Sequence, residues 1–296
     1  MASEQAITCF GLTKDYGAEQ GLFGCNLQIN QGEVFGLIGP NGAGKSTLIK
    51  LLMDLVRPTS GSATIFNLDS RRNSTELKRD IGYLPGELMQ FPGVSAGYIL
   101  NLLLNLRGIT DRTFLLELAD RLQLDLTRKF QDLSHGNKQK VGIVQAFMHK
   151  PKLLILDEPT LGLDPLIQRE LRKLIEEVAN AGSTVVLSSH VLSEVESYCT
   201  RIGLINKGRI VKVGTLTELR SSRVHKISIL FEGAIPSGAE LERAGAEIIN
   251  GSGQLVNLEI RGSIDQVLKI ISKYKVVEID SRELSLEEVF FSEVQG

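Results

Sequence analysis

The sequence predicts an α/β fold whose core contains a largely parallel β-sheet, followed by a smaller α+β domain. Short apolar segments typical of buried strands occur at 34–39, 152–156, 184–188 and 201–205, and helical segments separate several of them. After about residue 221, strands and helices follow in the order βαββαβ, which is typical of a ferredoxin-like domain. The chain is therefore divided into a domain of residues 1–220 and an accessory domain of residues 221–296.

Several further elements of the first domain can be predicted in order along the chain. The pattern indicates antiparallel strands within 7–17 and 26–30, a helix at 48–56 and a Leu-rich helical insertion over about 87–150. A helix is predicted over 165–181, because Asp164 is a good N-cap, Pro165 fits the first helical position and Gly182 fits the C-terminal end.

The accessory domain has strand and helix signals but no group of residues that suggests chemistry. Capping boxes at 237–240 and 263–266 predict the starts of two helices, and 285–288 predicts the start of a last helix. A turn is predicted at 251–253, between two of the strands.

Composition excludes some classes of function. The 296 residues carry a net charge of −2, which gives no support to nucleic-acid binding. Three scattered cysteines (Cys9, Cys25 and Cys199) suggest neither a disulfide framework nor a zinc site. The most apolar stretch, 98–106, is too short to span a bilayer, and the N-terminus does not resemble a signal peptide. Any membrane contact is therefore expected to go through a partner.

The stretch GPNGAGKST at 39–47 fits a phosphate-binding loop, since it follows a predicted strand and precedes a predicted helix. Its glycines let backbone N–H groups converge on phosphate oxygens, and the helix N-terminus adds partial positive charge. Lys45 would reach the β and γ phosphates, and the Ser46 hydroxyl would hold Mg²⁺. The predicted ATP-binding residues are Gly39, Pro40, Asn41, Gly42, Ala43, Gly44, Lys45, Ser46 and Thr47.

Three further side chains lie where predicted parallel strands end. Asp157 and Glu158 close the strand LLILD, and His190 closes TVVLSS. Such strand ends face the ligand edge of a parallel sheet. We expect Asp157 to hold Mg²⁺, Glu158 to polarise the attacking water and His190 to lie near the γ-phosphate.

LSHGNKQK at 133–140 is open to several readings: a catalytic histidine, a basic patch for nucleic acid, or an ordinary helix start. Ser134, Gly136 and Asn137 at a helix start would form a cup for an anion. Because the chain already has a phosphate loop for its own nucleotide, the simplest arrangement is a dimer with a second copy of the chain. In this dimer each cup would close on the nucleotide bound by the other copy.

Together these motifs resemble the ATP-binding subunit of an ABC transporter, over roughly the first three quarters of the chain. GPNGAGKST resembles the Walker A motif, LLILDEP the Walker B motif with its following glutamate, and LSHGN the signature motif. LGLD at 161–164 resembles the D-loop and His190 the switch histidine. The C-terminal SLEEVF resembles the tail of ATPases that serve drug, antibiotic and lipid exporters with a separate permease chain.

The resemblance implies a P-loop ABC ATPase core, with a RecA-like parallel sheet, an antiparallel β subdomain and a helical subdomain. It implies ATP and Mg²⁺ as ligands, Tyr16 stacked on adenine, and Asp164 coupling two sites across a dimer. The implied partners are a second ATPase subunit, most simply a copy of this chain, and membrane permease subunits. The implied location is the cytoplasmic face of the membrane, with contact only through the permease.

This sequence departs from the family pattern at three places. His135 replaces the first signature glycine, and we interpret it as a surface replacement rather than a general base. Asn137 replaces the signature glutamine. Gly86 stands where the Q-loop glutamine is expected, followed by Glu87; either Glu87 takes its place or the contact is absent.

Lys138 and Lys140 are interpreted as a solvated helix face. The Leu-rich helix and Phe91 are interpreted either as core packing or as a groove for a permease helix.

Two other classes of function stay open at this point. One is an ABC ATPase that acts on ribosomes or DNA, although only one ATPase unit is present and no coiled-coil heptad run occurs. The other is the catalytically silent half of a heterodimer, against which Glu158 and His190 argue.

Overall fold

The computed structural model describes residues 4–221, 224–261 and 264–283. The chain divides into two compact units, Met1–Val213 and Gly214–Gly296. Among the described residues, no helix is both long enough and apolar enough to cross a membrane. In the described part of the chain the first unit contains two sheets and the second contains one, and each unit has its own apolar core.

The first unit is built on a six-stranded sheet. Its strands, in sheet order, are β10 (Arg209–Thr215), β9 (Arg201–Asn206), β3 (Val34–Ile38), β8 (Thr184–Ser189), β7 (Leu153–Asp157) and β6 (Ile81–Leu84). The pairs from β9 to β6 are parallel. Every residue of β3, β7 and β8 is buried, as expected for parallel strands covered on both faces. The predicted parallel core is therefore confirmed.

A second, antiparallel sheet packs its apolar residues into the same core. Its strands, in sheet order, are β2 (Gly21–Asn30), β1 (Gln5–Asp15), β4 (Ser60–Ile65) and β5 (Leu68–Asp69). Its apolar side chains share a core cluster with those of α1 (Lys45–Leu52). The helix predicted at 48–56 begins earlier, at Lys45, and ends earlier, at Leu52. Ser60 opens a strand that was not predicted.

Three α-helices lie within the predicted insertion, together with the short 3₁₀ helix Phe130–Asp132, and we call the three α-helices the helical subdomain. They are α3 (Ala96–Leu106), α4 (Thr113–Arg121) and α5 (His135–Phe147), and the short helix α2 (Ser74–Asp80) precedes them. Arg121 joins the subdomain to α6 (Pro165–Asn180) through ion pairs with Glu170 at 2.7 Å and Glu177 at 2.7 Å. The predicted N-cap of α6 is confirmed, since Asp164 accepts N–H bonds from Leu166 and Ile167, both at 3.0 Å.

The second unit has the order predicted for a ferredoxin-like domain. Its antiparallel sheet runs β12 (Ala246–Ser252), β13 (Leu255–Arg261), β11 (Val224–Phe231) and β14 (Val276–Glu283), with helices α9 (Gly238–Arg243) and α10 (Asp265–Ile271). Two more short helices belong to the chain: α7 (Leu192–Tyr198) in the first unit and α8 (Leu216–Ser221) in the second.

The capping predictions for this unit have different outcomes. The box formed by Ser237 and Glu240 is confirmed. The helix predicted from 263–266 begins at Asp265, with Ile264 at the N-cap and no side-chain cap. The turn predicted at 251–253 lies one to two residues later, because β12 continues through Ser252. The prediction for 285–288 lies outside the described residues.

Two basic side chains bind the end of α2 and the start of β6. Arg107, just after α3, donates to the carbonyls of Lys78 at 3.1 Å and Arg79 at 3.0 Å, and His149 Nε2 donates to the carbonyl of Ile81 at 3.1 Å. Burial, and then the positive charge of Arg107, lower the pKa of His149 from 6.5 to about 4. Its Nδ1 is buried and has no hydrogen-bond partner within the described part of the chain.

His149 should make the first unit sensitive to acid. Because its folded pKa is lowered, its contribution to stability is complete above pH 6.5 and is lost as the pH falls toward 4. Between pH 7.5 and 5.5 this group should remove about 1 kcal/mol of unfolding free energy. Urea unfolding at the two pH values should show this loss in the wild type and less of it in His149→Gln. The exposed His135→Gln serves as a control, and equal pH dependence in wild type and His149→Gln would contradict the assignment.

Candidate active site

The predicted site residues lie at the carboxyl ends of neighbouring parallel strands. The loop 39–47 follows β3, Asp157 ends β7, and His190 follows β8. Pro85, Gly86 and Glu87 follow β6 at the same edge. Because the carboxyl ends of parallel strands share one edge of the sheet, residues far apart in sequence meet there.

The loop 39–47 has the backbone geometry that an anion site needs. Gly42 and Gly44 have φ of +79° and +109°, which glycine adopts without strain. Their N–H groups make no hydrogen bond within the described part of the chain. A Cβ at Gly39 would lie 2.2 Å from the carbonyl oxygen of Ile205, so only glycine fits there. Free N–H groups at the start of α1 are suited to bind phosphate oxygens.

Lys45 is buried within this loop, with only 6 % of its surface exposed. Its Nζ donates to the carbonyl oxygens of Gly39 at 2.7 Å and Pro40 at 3.3 Å. It also lies 3.4 Å from Oε1 of Glu158. The ammonium group is therefore paired at the position where a bound phosphate would approach it.

Glu158 brings the predicted catalytic side chains together. Its Oε2 lies 2.9 Å from Nδ1 of His190, while its Oε1 faces Lys45. The residue has a left-handed backbone conformation, with φ of +51°, which is costly for a residue with a side chain. Its N–H donates to Ser188, both to the carbonyl oxygen at 3.2 Å and to Oγ at 3.1 Å.

Asp157 and Ser46 provide oxygen ligands that fit Mg²⁺. Both residues line one cavity of about 680 Å³, together with Tyr83 and Glu87. Ser188 Oγ donates to Asp157 Oδ1 at 2.5 Å, which orients this buried carboxylate. Burial, and then the negative charge of Asp157, raise the pKa of Tyr83 to about 12. A hydroxyl and a carboxylate, completed by phosphate oxygens and water, form a ligand set that Mg²⁺ prefers.

The signature residues form the start of α5. Ser134 is its N-cap and accepts the N–H of Asn137 at 3.3 Å and its side-chain Nδ2 at 3.1 Å. A Cβ at Gly136 would lie 2.4 Å from the carbonyl oxygen of Gly162, so the turn touches the D-loop. His135 is exposed to solvent, and its ring also packs against Gly162.

The interpretation of Lys138 and Lys140 as a solvated face is wrong. Lys140 is 9 % exposed, because the run from Gln139 to Val144 lies on buried faces of α5. Lys138 is half-buried, with Nζ 5.6 Å from the ring centroid of Phe130. These contacts hold the aliphatic parts of the two lysine side chains against the protein. The two lysines therefore do not form a basic patch of the kind that binds nucleic acid.

The remaining predicted residues surround this centre. Tyr16 is 52 % exposed, in the β1–β2 turn. That turn adjoins the phosphate loop, since a Cβ at Gly44 would lie 2.9 Å from the carbonyl oxygen of Gly21. A Cβ at Gly86 would lie 3.3 Å from Oδ2 of Asp157, which places the Q-loop position beside the predicted metal ligand.

An apolar groove extends from the same cavity along the helical subdomain. Leu88, Met89, Phe91, Ile99 and Leu103 line it, and Glu87 lies where the groove meets the predicted metal site. Met89 is 73 % exposed, and Phe91 packs edge-on against Phe130, with ring centroids 5.4 Å apart. Phe91 therefore contributes to packing within the subdomain and also faces the groove.

Sequence reasoning missed two polar side chains that contact the site. Ser188 orients Asp157 and Glu158, as described above. Gln139 is 2 % exposed and donates to the carbonyl oxygens of Glu158 at 3.1 Å and Pro159 at 3.3 Å. Ser188 could have been found as a polar residue within the apolar strand 184–189. Gln139 could have been found as a polar residue in a helix whose neighbouring positions are mostly buried.

The chain is similar to several known proteins. The ABC transporter family pattern matches residues 22–161. The bacitracin transport ATP-binding protein of Bacillus licheniformis is 38 % identical over 208 residues, covering 68 % of this chain and 67 % of that protein. An uncharacterized ABC transporter ATP-binding protein of Bacillus subtilis is 30 % identical over 294 residues, covering 97 % of this chain and 96 % of that protein.

A solved structure is also similar to this chain. It is the dimeric structure of an ATP-binding cassette in a post-hydrolysis state, bound to ADP and Pi. The match has a TM-score of 0.63 at 27 % identity and covers 71 % of this chain and 98 % of that chain.

The contact between Ser188 and Asp157 should be visible in stability measurements. Ser188→Ala leaves a buried carboxylate without this donor, which should cost about 1–3 kcal/mol of unfolding free energy. In an Asp157→Asn background the same substitution should cost clearly less, because no buried charge remains to be solvated. Urea unfolding of the wild type, the two single variants and the double variant measures the coupling free energy between the two side chains. Ser183→Ala, whose hydroxyl donates to the carbonyl of Pro151 at 2.8 Å, is the control. Equal costs in both backgrounds would contradict the assignment.

Proposed function

This chain belongs to the family of ABC transporter ATP-binding proteins and is the ATP-hydrolysing subunit of such a transporter. We propose which of its residues carry out hydrolysis, which partners it binds and in which direction the transporter works. The observation that carries the proposal is the position of Glu158, between Lys45 and His190 at the edge of the phosphate loop.

Binding of ATP would replace contacts that the loop now makes with itself. The free N–H groups of Gly42 and Gly44 would bind phosphate oxygens, and Lys45 would exchange the carbonyls of Gly39 and Pro40 for the β and γ phosphates. Tyr16 would stack on adenine. Ser46 and Asp157 would hold Mg²⁺, which neutralises phosphate charge when bound.

Hydrolysis would then depend on Glu158 as general base. With Lys45 drawn to the phosphates, the carboxylate is free to accept a proton from the attacking water. His190 holds Oε2 of this carboxylate at 2.9 Å and so fixes the direction in which it accepts.

The second half of each site would come from a second subunit, most simply a copy of this chain. Ser134 and Gly136 form a cup at the start of α5, and the phosphate loop of the same chain is already a separate anion site. Closure of two chains would put each cup on the γ-phosphate bound by the other, with Asp164 coupling the two sites. The dimeric form of the solved ATP-binding cassette supports this arrangement.

The groove beside Glu87 would receive a helix of the permease. Its apolar lining suits a helix with an apolar face, and it continues into the cavity that holds Asp157. Gly86 and Glu87 lie at the junction, so movement of a docked helix would reach the metal ligand. Membrane contact is proposed to occur through this partner alone, at the cytoplasmic face of the membrane.

We propose that residues 1–220 form the nucleotide-binding domain and residues 221–296 an accessory domain. The direction of transport is proposed to be export. Export is supported by the likeness to a bacitracin transport ATP-binding protein and by the C-terminal SLEEVF. Action on ribosomes or DNA is disfavoured, because the relatives named above are transporter subunits and α5 offers no basic patch.

The catalytic proposal is tested with Glu158→Gln. The purified wild type should hydrolyse Mg·ATP, and the variant should lose at least about 100-fold in kcat because it lacks the base. Gel filtration in Mg·ATP should show the variant as a dimer, since bound ATP is no longer consumed. Glu247→Gln, an exposed position of the second unit, is the control. An inactive wild type that stays monomeric would instead support the silent half of a heterodimer.

The groove is tested with a charge on its most exposed apolar residue. Met89→Glu should weaken co-purification with a co-expressed candidate permease by about 10-fold or more, because the docked helix would have to bury a carboxylate. Leu116→Glu, at an exposed position outside the groove, should leave co-purification unchanged. Equal recovery with both variants would rule out this groove as the docking site.

A further inference from the structure

We propose that Gln139 is a positioning residue that connects the signature cup to Glu158 of the same chain. Through it, engagement of the partner's nucleotide by Ser134 and Gly136 would control the base that acts on the chain's own nucleotide. This inference rests on the proposed function, because it needs the cup to bind a phosphate and Glu158 to act as base.

The first observation is that the amide nitrogen of Gln139 donates to two carbonyl oxygens that follow β7. The side chain is 2 % exposed and projects from α5 to the segment that follows β7. Its amide nitrogen has two hydrogens, and the two acceptors are the carbonyl oxygens of Glu158 at 3.1 Å and Pro159 at 3.3 Å. A buried amide with both hydrogens paired is a specific contact rather than general packing.

The second observation concerns what this contact holds. Glu158 has φ of +51°, a conformation that persists only when the surroundings enforce it. Ser188 binds its N–H, and Gln139 binds its carbonyl oxygen. The backbone on both sides of the Cα atom is thereby fixed, and this sets the direction of the carboxylate that meets Lys45 and His190.

The third observation is a further contact between the same two segments. The first turn of α5 lies directly on the D-loop, since a Cβ at Gly136 would be 2.4 Å from the carbonyl oxygen of Gly162. His135 packs against Gly162 as well. Helix α5 therefore contacts the segment 158–162 both at the cup and one turn further along, at Gln139. A shift of the cup must carry the backbone of Glu158 with it.

The consequence is a link between two nucleotide sites within one polypeptide. When the cup closes on the partner's γ-phosphate, α5 is fixed and Gln139 holds Glu158 in its working orientation. Without that engagement, α5 can move and the carboxylate loses its direction. Hydrolysis at one site would thus require ATP at the other, which appears as cooperativity in the dependence of rate on ATP concentration.

The test replaces the amide by a side chain of similar shape without hydrogen-bond donors. Gln139→Met should lower kcat by about 10-fold to 100-fold, because a base displaced by a fraction of an ångström acts poorly, while KM changes by less than about twofold. The Hill coefficient for ATP should fall toward one. Gln139→Asn, which fits the site but cannot reach both carbonyls, should give a smaller loss of kcat in the same direction.

A second readout separates positioning from damage to the fold. In the Glu158→Gln background, Gln139→Met should still form the ATP-trapped dimer, because the cup itself is unchanged. Gln131→Met is the matched control: its side-chain amide accepts the N–H of Gly93 at 2.9 Å, within the helical subdomain, and this substitution should leave kcat unchanged.

Each outcome decides the inference. A wild-type kcat and Hill coefficient in Gln139→Met would overturn it, and so would a lower kcat accompanied by loss of the trapped dimer, since that combination indicates a structural role. If the wild type does not hydrolyse ATP and the Glu158→Gln variant does not form the trapped dimer, the proposed function itself is overturned. This result differs from both outcomes that overturn the role of Gln139.

Discussion

The register of three parallel strands is the constraint on which the site depends. Asp157 of β7 lies opposite Ser188 of β8, and Ser189 lies opposite Ile38 of β3. This pairing aligns the starts of the phosphate loop, the acidic pair and the histidine along one edge. A slip of one residue would turn every side chain to the other face and remove the contact between Ser188 and Asp157. Because all three strands are buried on both faces, apolar packing opposes such a slip.

The same edge collects charges that would be unfavourable if they were unpaired. Lys45 is 6 % exposed, and a buried ammonium group without partners would be strongly destabilising. Two loop carbonyls and Glu158 solvate it, and His190 shares the carboxylate from the solvent side. These partners compensate the buried positive charge at the place where a phosphate would bind.

Much of this site could be predicted from the sequence, because its chemistry is local. The phosphate loop, the acids after β7 and the N-cap Asp164 are each defined by a few consecutive residues. The burial of Lys140 and the role of Gln139 depend on how α5 packs against other elements, which local patterns do not encode. The strands β4 and β5 and the helix α2 were missed because they are short and carry weak periodicity. The parallel core was predicted because its strands are apolar along their whole length.

Two of the three departures from the family pattern lie where two segments approach each other closely. At position 86 a Cβ would lie 3.3 Å from Oδ2 of Asp157, so a larger side chain there would have to turn away from the carboxylate. Glycine places no side chain there, and the neighbouring Glu87 lines the cavity that also holds Asp157. At position 135 the reverse holds: a ring replaces the glycine of the family and covers Gly162, whose own lack of a side chain makes room for it. One exchange removes a side chain beside the predicted metal ligand and the other adds one beside the D-loop.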